Sequence, residues 1–241
     1  MTKTIIVYDF DGTLTPNSLP KIGLMDKLGY SFDRYEQKMK EWLLNHPGKD
    51  IYDSYYMTFL NILEESGYPL TDETFALSAN ENNYNPGVFE YFESVKPYVK
   101  NYLVSSGFKV PLLHSGVSKY FEEIYGTIFE YNNDNIATGV KYAMNDQRKV
   151  DKIKEICELN HLDNYDCSNV IYLGDGLTDA YAMSFVKEHG GISIFVYQPH
   201  ENLDAFNVLK EKGIVDVAYV ADYSINSELY NKLISIINRQ D

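Results

Sequence analysis

The chain has 241 residues, of which 44 % are hydrophobic and 23 % charged, the mix of an ordinary globular protein. Against a domain prior of ~150 residues this points to one large domain or a core with an insert, and it excludes a disordered tail or a fibrous rod. The 21 basic and 35 acidic residues leave a formal net charge of −14, and no basic run offers the concentrated positive face that nucleic-acid binding requires.

Ile5 to Tyr8 is a short apolar, β-branched run ending at Asp9 and a Gly-Thr turn, which predicts a strand buried on both faces of a parallel sheet. Residues 16–85 then lack a strand pattern and carry helix-start signals. Ser18 precedes Pro20, Ser31 precedes an amphipathic run to Leu44, and Asp50 opens Ile51 to Glu65. The breaks are Asn45-His46-Pro47-Gly48 and Gly67-Tyr68-Pro69. The chain is therefore expected to divide into a core, 1–15 with 86–241, and a helical insert, 16–85, that returns near Asn85-Pro86-Gly87. An insert placed directly after the first strand sits over the carboxyl edge of the sheet, where its natural role is a lid.

Further strands are expected at Tyr102 to Val104, Val170 to Leu173, Ile192 to Tyr197 and Val215 to Val220. Helical patterns lie between and after them: Val150, Ile153, Ile156 and Cys157 share one face, and Leu203 to Lys212 and Ile225 to Ile237 look similar. Alternation of this kind predicts a Rossmann-like open parallel α/β sheet with helices on both faces. Ligands of such sheets bind outside the carboxyl ends of the strands, so the residue after each apolar run is where chemistry belongs.

Asp9-Phe10-Asp11-Gly12-Thr13 follows the first strand, and Gly174-Asp175-Gly176-Leu177-Thr178-Asp179 follows the strand ending at Leu173. Both acidic clusters project from one edge. Crowded carboxylates raise each other's pKa values unless a cation is present, and oxygen ligands without His or Cys favour a hard ion such as Mg²⁺. Ser105-Ser106-Gly107 follows the Tyr102 to Val104 strand and offers hydroxyls and N–H groups to an anion at a following helix start. Lys149 sits in the first turn of a helix, where the dipole disfavours a cation; a nearby anion would explain it, with Arg148 as the competing candidate.

These four segments, in this order, resemble the four motifs of the haloacid dehalogenase (HAD) superfamily, and the insert resembles its C1-type helical cap, as in the phosphoserine-phosphatase-like branch. The resemblance implies Asp9 as nucleophile, Asp11 as acid and base, and Ser105, with its neighbours Ser106 and Gly107, and Lys149 as ligands of the phosphoryl group. It implies Mg²⁺ held by Asp9, the Asp11 carbonyl and Asp175, with Asp179 in support. The implied activity is Mg²⁺-dependent hydrolysis of a small phosphorylated metabolite through an aspartyl-phosphate. Alternatives are a phosphotransferase or mutase of the same superfamily, or a non-catalytic binding protein retaining the fold; halide release is disfavoured by Asp11. Ser18 stands where the branch has a Glu that meets the substrate ammonium, and Ser105-Ser106-Gly107 replaces its Ser-Gly-Gly. Both departures argue against phosphoserine.

The remaining features have plainer readings. The five histidines are scattered, the 22 tyrosines are packing residues, and Lys21, Arg34, Lys38 and Lys40 belong to solvated faces. The two cysteines, Cys157 and Cys167, are too few for a disulfide framework. Asp9 and Asp11 interrupt the amino-terminal apolar stretch a signal peptide needs, and no apolar run approaches the ~18–20 residues of a membrane span. A soluble, cytoplasmic protein without a membrane partner is expected.

Overall fold

The computed structural model describes residues 3–16, 24–79, 84–201 and 203–238. Seven strands form one sheet in the order β4-β3-β2-β1-β5-β6-β7: β1 (Thr4–Tyr8), β2 (Val99–Phe108), β3 (Glu123–Tyr131), β4 (Ala137–Tyr142), β5 (Val170–Gly174), β6 (Ile192–Tyr197) and β7 (Ala218–Val220). Every pairing between these strands is parallel except β3 with β4, which is antiparallel. Tyr8 is in register with Leu103 of β2 and Leu173 of β5, so β1 and β5 finish side by side while β2 runs on to Phe108.

The helices are α1 (Leu24–Lys27), α2 (Phe32–Asn45), α3 (Ile51–Glu65), α4 (Asp72–Ala76), α5 (Val88–Val95), α6 (Lys109–Leu113), α7 (Asp146–Leu159), α8 (Ala180–Glu188), α9 (Asp204–Glu211) and α10 (Glu228–Ile237). Strand alternation decides what packs where. Ile6 and Tyr8 of β1 join Val88, Tyr91 and Phe92 of α5 and Leu229, Leu233 and Ile236 of α10 on one face. Ile5 and Val7 join Ile153, Ile156 and Cys157 of α7, Met183 and Val186 of α8 and Leu209 of α9 on the other. Each such fully buried aliphatic side chain contributes ~1.5–3 kcal/mol relative to exposure. Among the described residues no helix is long and apolar enough to cross a membrane.

The sheet is larger than the sequence pattern suggests. β3 and β4 escape it because Gly126, Glu130, Gly139 and Lys141 interrupt their apolar character, and of the two only β4 is an edge strand. The expected strand over Val215 to Val220 is shorter, Ala218–Val220. β2 does not stop at Val104 but continues through Ser105-Ser106-Gly107 to Phe108 with a register shift against β3.

Helices α1 to α4 occupy the stretch expected to be helical. Ser31 and Asp50 cap α2 and α3 as anticipated, and Asp50 forms a reciprocal capping box with Asp53. The start signal at Ser18 and Pro20, and Lys21, lie outside the described residues. Tyr35, Met39, Phe59, Ile62, Leu63 and Phe75 build a third core that also takes in Phe108 of β2 and Phe129 and Ala137 of β3 and β4. The return to the sheet is tight. Asn85 N–H donates to the Leu14 carbonyl at 2.9 Å, and a Cβ at Gly87 (φ +74°) would lie 2.2 Å from the Ser224 backbone.

Candidate active site

Asp9 follows the parity of Ile5 and Val7, so its side chain turns to the face where α7 packs. The main chain then leaves the sheet, and Phe10 N–H donates to Asp9 Oδ1 at 2.8 Å. The turn that follows is held from three directions. Asn85 Nδ2 donates to the Thr13 carbonyl at 2.8 Å, the Tyr223 hydroxyl donates to the same oxygen at 3.2 Å, and Gln198 Nε2 donates to the Gly12 carbonyl at 2.9 Å. These three residues carry no motif; only the rule that buried carbonyls need donors could have called for them.

After β5, a 3₁₀ turn over Leu177–Asp179 points Asp179 back beneath the loop. Its Oδ2 accepts the Gly176 N–H at 3.3 Å and its Oδ1 accepts the Tyr172 hydroxyl at 2.7 Å. The Lys149 ammonium, wholly buried, lies 2.7 Å from Asp179 Oδ1 and 3.1 Å from Asp9 Oδ2. Arg148 turns elsewhere: it donates to the Ala143 carbonyl and lies over the Tyr142 ring. Lys149, not Arg148, is thus the cation at this edge.

Ligand oxygens of Asp9, Asp175 and Asp179 all lie within 4.8 Å of one another. Burial, then the Asp179 carboxylate, pushes Asp9 up to about 6. Asp175 is held well above the usual carboxylate range by burial first, then by Asp179 and Asp9. For Lys149, burial alone would lower the pKa, but Asp179 and Asp9 reverse the sign and raise it well above the ordinary lysine value. Three carboxylates facing one ammonium leave two negative charges uncompensated when ionised, which a divalent cation matches. The donors are oxygen alone, which suits a hard divalent cation such as Mg²⁺. Asp9, Asp175 and Asp179 are the candidate ligands, of which Asp179 makes the most contacts within the protein, to Lys149, Tyr172 and Gly176. Asp11 is not in this group; it faces a cavity instead.

The phosphate-binding expectation needs a correction of setting. Ser105-Ser106-Gly107 is the irregular end of β2 and not a loop, while the helix start expected after it is present as α6, from Lys109. The physical reason lies in the Ser106 carbonyl, which accepts the Tyr56 hydroxyl at 2.8 Å and lies 3.1 Å from the Thr127 hydroxyl, so α3 and β3 hold the segment extended. Gly107 N–H donates to Ser105 Oγ at 2.9 Å. Ser106 Oγ is buried without a hydrogen-bond partner. A cavity of about 230 Å³ opens beside it, lined by Asp11, Ser106, Gly107 and Thr178 and, from α2 and α3, by Met39 and the tyrosines at 52, 55 and 56.

No sequence-family model matches the chain, and no curated protein sequence matches it significantly. Solved structures do. A substrate-bound phosphoserine phosphatase complex superposes with TM-score 0.65 at 16 % identity, covering 98 % of this chain and 99 % of the other. A phospho-aspartyl intermediate analogue of phosphoserine phosphatase gives 0.63 at 15 %, with the same coverage. A HAD family hydrolase from Salmonella enterica subsp. enterica serovar Typhi gives 0.62 at 16 %, covering 93 % and 72 %. With its strand order, its insert after β1 and its acidic edge, the chain has the haloacid dehalogenase fold in the form seen in phosphoserine phosphatases.

Proposed function

We propose that the protein is a Mg²⁺-dependent phosphatase that hydrolyses a small phosphomonoester through an aspartyl-phosphate. The observation that carries this reading is the buried Lys149 bridging Asp9 and Asp179 at the strand end where Asp175 also lies. Mg²⁺, when bound by Asp9 and Asp175, would supply the positive charge that lets a carboxylate approach a phosphate dianion.

The chain's own residues account for the rest. Asp9 attacks phosphorus, and the bond between phosphorus and the ester oxygen breaks. Asp11, on the cavity wall, gives its proton to the departing alkoxide. It then takes one from a water that attacks the same phosphorus, which restores the Asp9 carboxylate and releases inorganic phosphate. Lys149 offsets negative charge from within the protein, while Ser105 and Ser106 offer hydroxyl protons to phosphoryl oxygens. Helices α2 and α3, which form one wall of the cavity, serve as the lid that selects the leaving group. The partner is a small phosphorylated metabolite of the cytoplasm.

The test is turnover of p-nitrophenyl phosphate. Asp9→Asn is expected to lower it at least about a thousandfold, and EDTA is expected to abolish it until Mg²⁺ is restored. Full activity of either preparation would overturn the proposal.

A further inference from the structure

The cavity beside Asp11 has two unlike walls. On the sheet side it presents polar groups: Asp11, Ser106, Gly107 and Thr178. From α2 and α3 it presents Met39, Ile51, Tyr52, Tyr55 and Tyr56. Two of those three phenol hydroxyls are already spent, because Tyr52 donates to the Asp146 carboxylate and Tyr56 to the Ser106 carbonyl. What these residues have left to offer a leaving group is hydrocarbon, ring and one phenol hydroxyl, that of Tyr55.

Charged groups of the same helices point elsewhere. Lys38 pairs with Glu65 at 2.6 Å and borders a different surface recess with Glu41 and Trp42. Lys40 lies 3.6 Å from Glu36, and Arg34 sits over the Tyr30 ring. The buried Lys149 is held between Asp9 and Asp179. Among the described residues the cavity lining thus contains no cation to receive a substrate carboxylate. Its one carboxylate, Asp11, is the group assigned to proton transfer. A zwitterionic leaving group would lose hydration at both charges without repayment.

Resting on the phosphatase reading, we propose that the substrate is the phosphate ester of an uncharged, apolar alcohol, aliphatic or aromatic, not of an amino acid or an amino alcohol. Ile51 is 54 % exposed at the cavity rim, which leaves the pocket open at one end and lets an apolar chain extend along the helix.

The experiment compares kcat/KM of the Mg²⁺-loaded full chain for methyl, butyl and hexyl phosphate with that for phosphoserine and phosphoethanolamine; all five release alkoxides. Burial of hydrocarbon is worth roughly fourfold per methylene, so kcat/KM should climb along the alkyl series, with both charged esters at least about a hundredfold below butyl phosphate. Ile51→Arg should flatten that climb, lowering the hexyl-to-methyl ratio at least about tenfold. Phosphoserine or phosphoethanolamine turned over as well as butyl phosphate, or a flat alkyl series, overturns the substrate class and leaves the phosphatase reading standing. Failure to hydrolyse any of these esters or p-nitrophenyl phosphate overturns both.

Discussion

The Asp175 carboxylate occupies the space that a side chain at position 12 would need: a Cβ on Gly12 would lie 2.0 Å from Asp175 Oδ2. Gly12 also sits at φ +75°, the left-handed region where an L side chain costs ~1–2 kcal/mol. The loop after β1 and the loop after β5 therefore interlock through a missing side chain, which brings both acidic motifs to one point.

Gly12→Ala is accordingly expected to separate the loops. The variant should lose about 2–4 kcal/mol of stability from backbone strain and overpacking together. It should also lose most of the Mg²⁺-induced rise in Tm. Thermal melts with and without Mg²⁺ check this, and an unchanged Mg²⁺ response would contradict the interlock.

Lys149 is wholly buried against two carboxylates, and removing one partner of such a set strands the others. Lys149→Met should destabilise the metal-free protein by ~3–5 kcal/mol at neutral pH. The double variant with Asp179→Asn should cost less than the sum of the singles, because the stranded charge is removed as well. Urea unfolding of the four proteins gives the coupling; strict additivity would contradict the charge cluster.

The pH dependence has a definite sign. The Asp9 carboxyl moves from 3.8 to about 6 on folding, so the folded metal-free chain holds more protons than the unfolded chain between those values. Its contribution to stability is therefore greatest below about pH 4 and is lost as pH rises through 6. The loss amounts to roughly 3 kcal/mol at 1.36 kcal/mol per unit, and Asp175, also raised, works in the same direction. Mg²⁺ needs these groups ionised. The Tm increase on adding Mg²⁺ should be small at pH 5 and large at pH 7; equal increases would contradict the assignment of Asp9 and Asp175 to the metal.

How much of this was legible beforehand follows from what each residue does. Asp9 and Asp175 could be paired because both end apolar strand runs, and parallel strands finish at a common edge; the register of Tyr8 with Leu173 places them there. Apart from the family resemblance, Lys149 was legible only as an anomaly, a cation where the helix dipole disfavours one. Its burial between Asp9 and Asp179 depends on packing of α7 that a local pattern does not encode. Gln198, Asn85, Tyr223 and Tyr56 act through hydrogen bonds to backbone carbonyls, and residue type alone does not announce such bonds. The extension of β2 through Ser105-Ser106-Gly107 was hidden for the same reason, since the partners that hold it straight lie in α3 and β3.

Tyr56 gives that last point a test. Its hydroxyl ties α3 to the Ser106 carbonyl and meets the Thr127 hydroxyl at 2.8 Å. Tyr56→Phe should cost about 1 kcal/mol, the net value of one such bond, since Thr127 remains within reach of the same carbonyl. It should raise KM more than it lowers kcat, as the segment proposed to bind the phosphoryl group loosens. A kcat loss with unchanged KM would place Tyr56 in the chemistry instead.

The most direct test of the account as a whole is to quench the enzyme during turnover, reduce acyl-phosphate with borohydride and map the product by mass spectrometry. The expected result is homoserine at position 9 and aspartate at 11, 175 and 179. Reduction at any of those three positions, or at none under conditions of rapid turnover, would contradict Asp9 as the residue that takes the phosphoryl group.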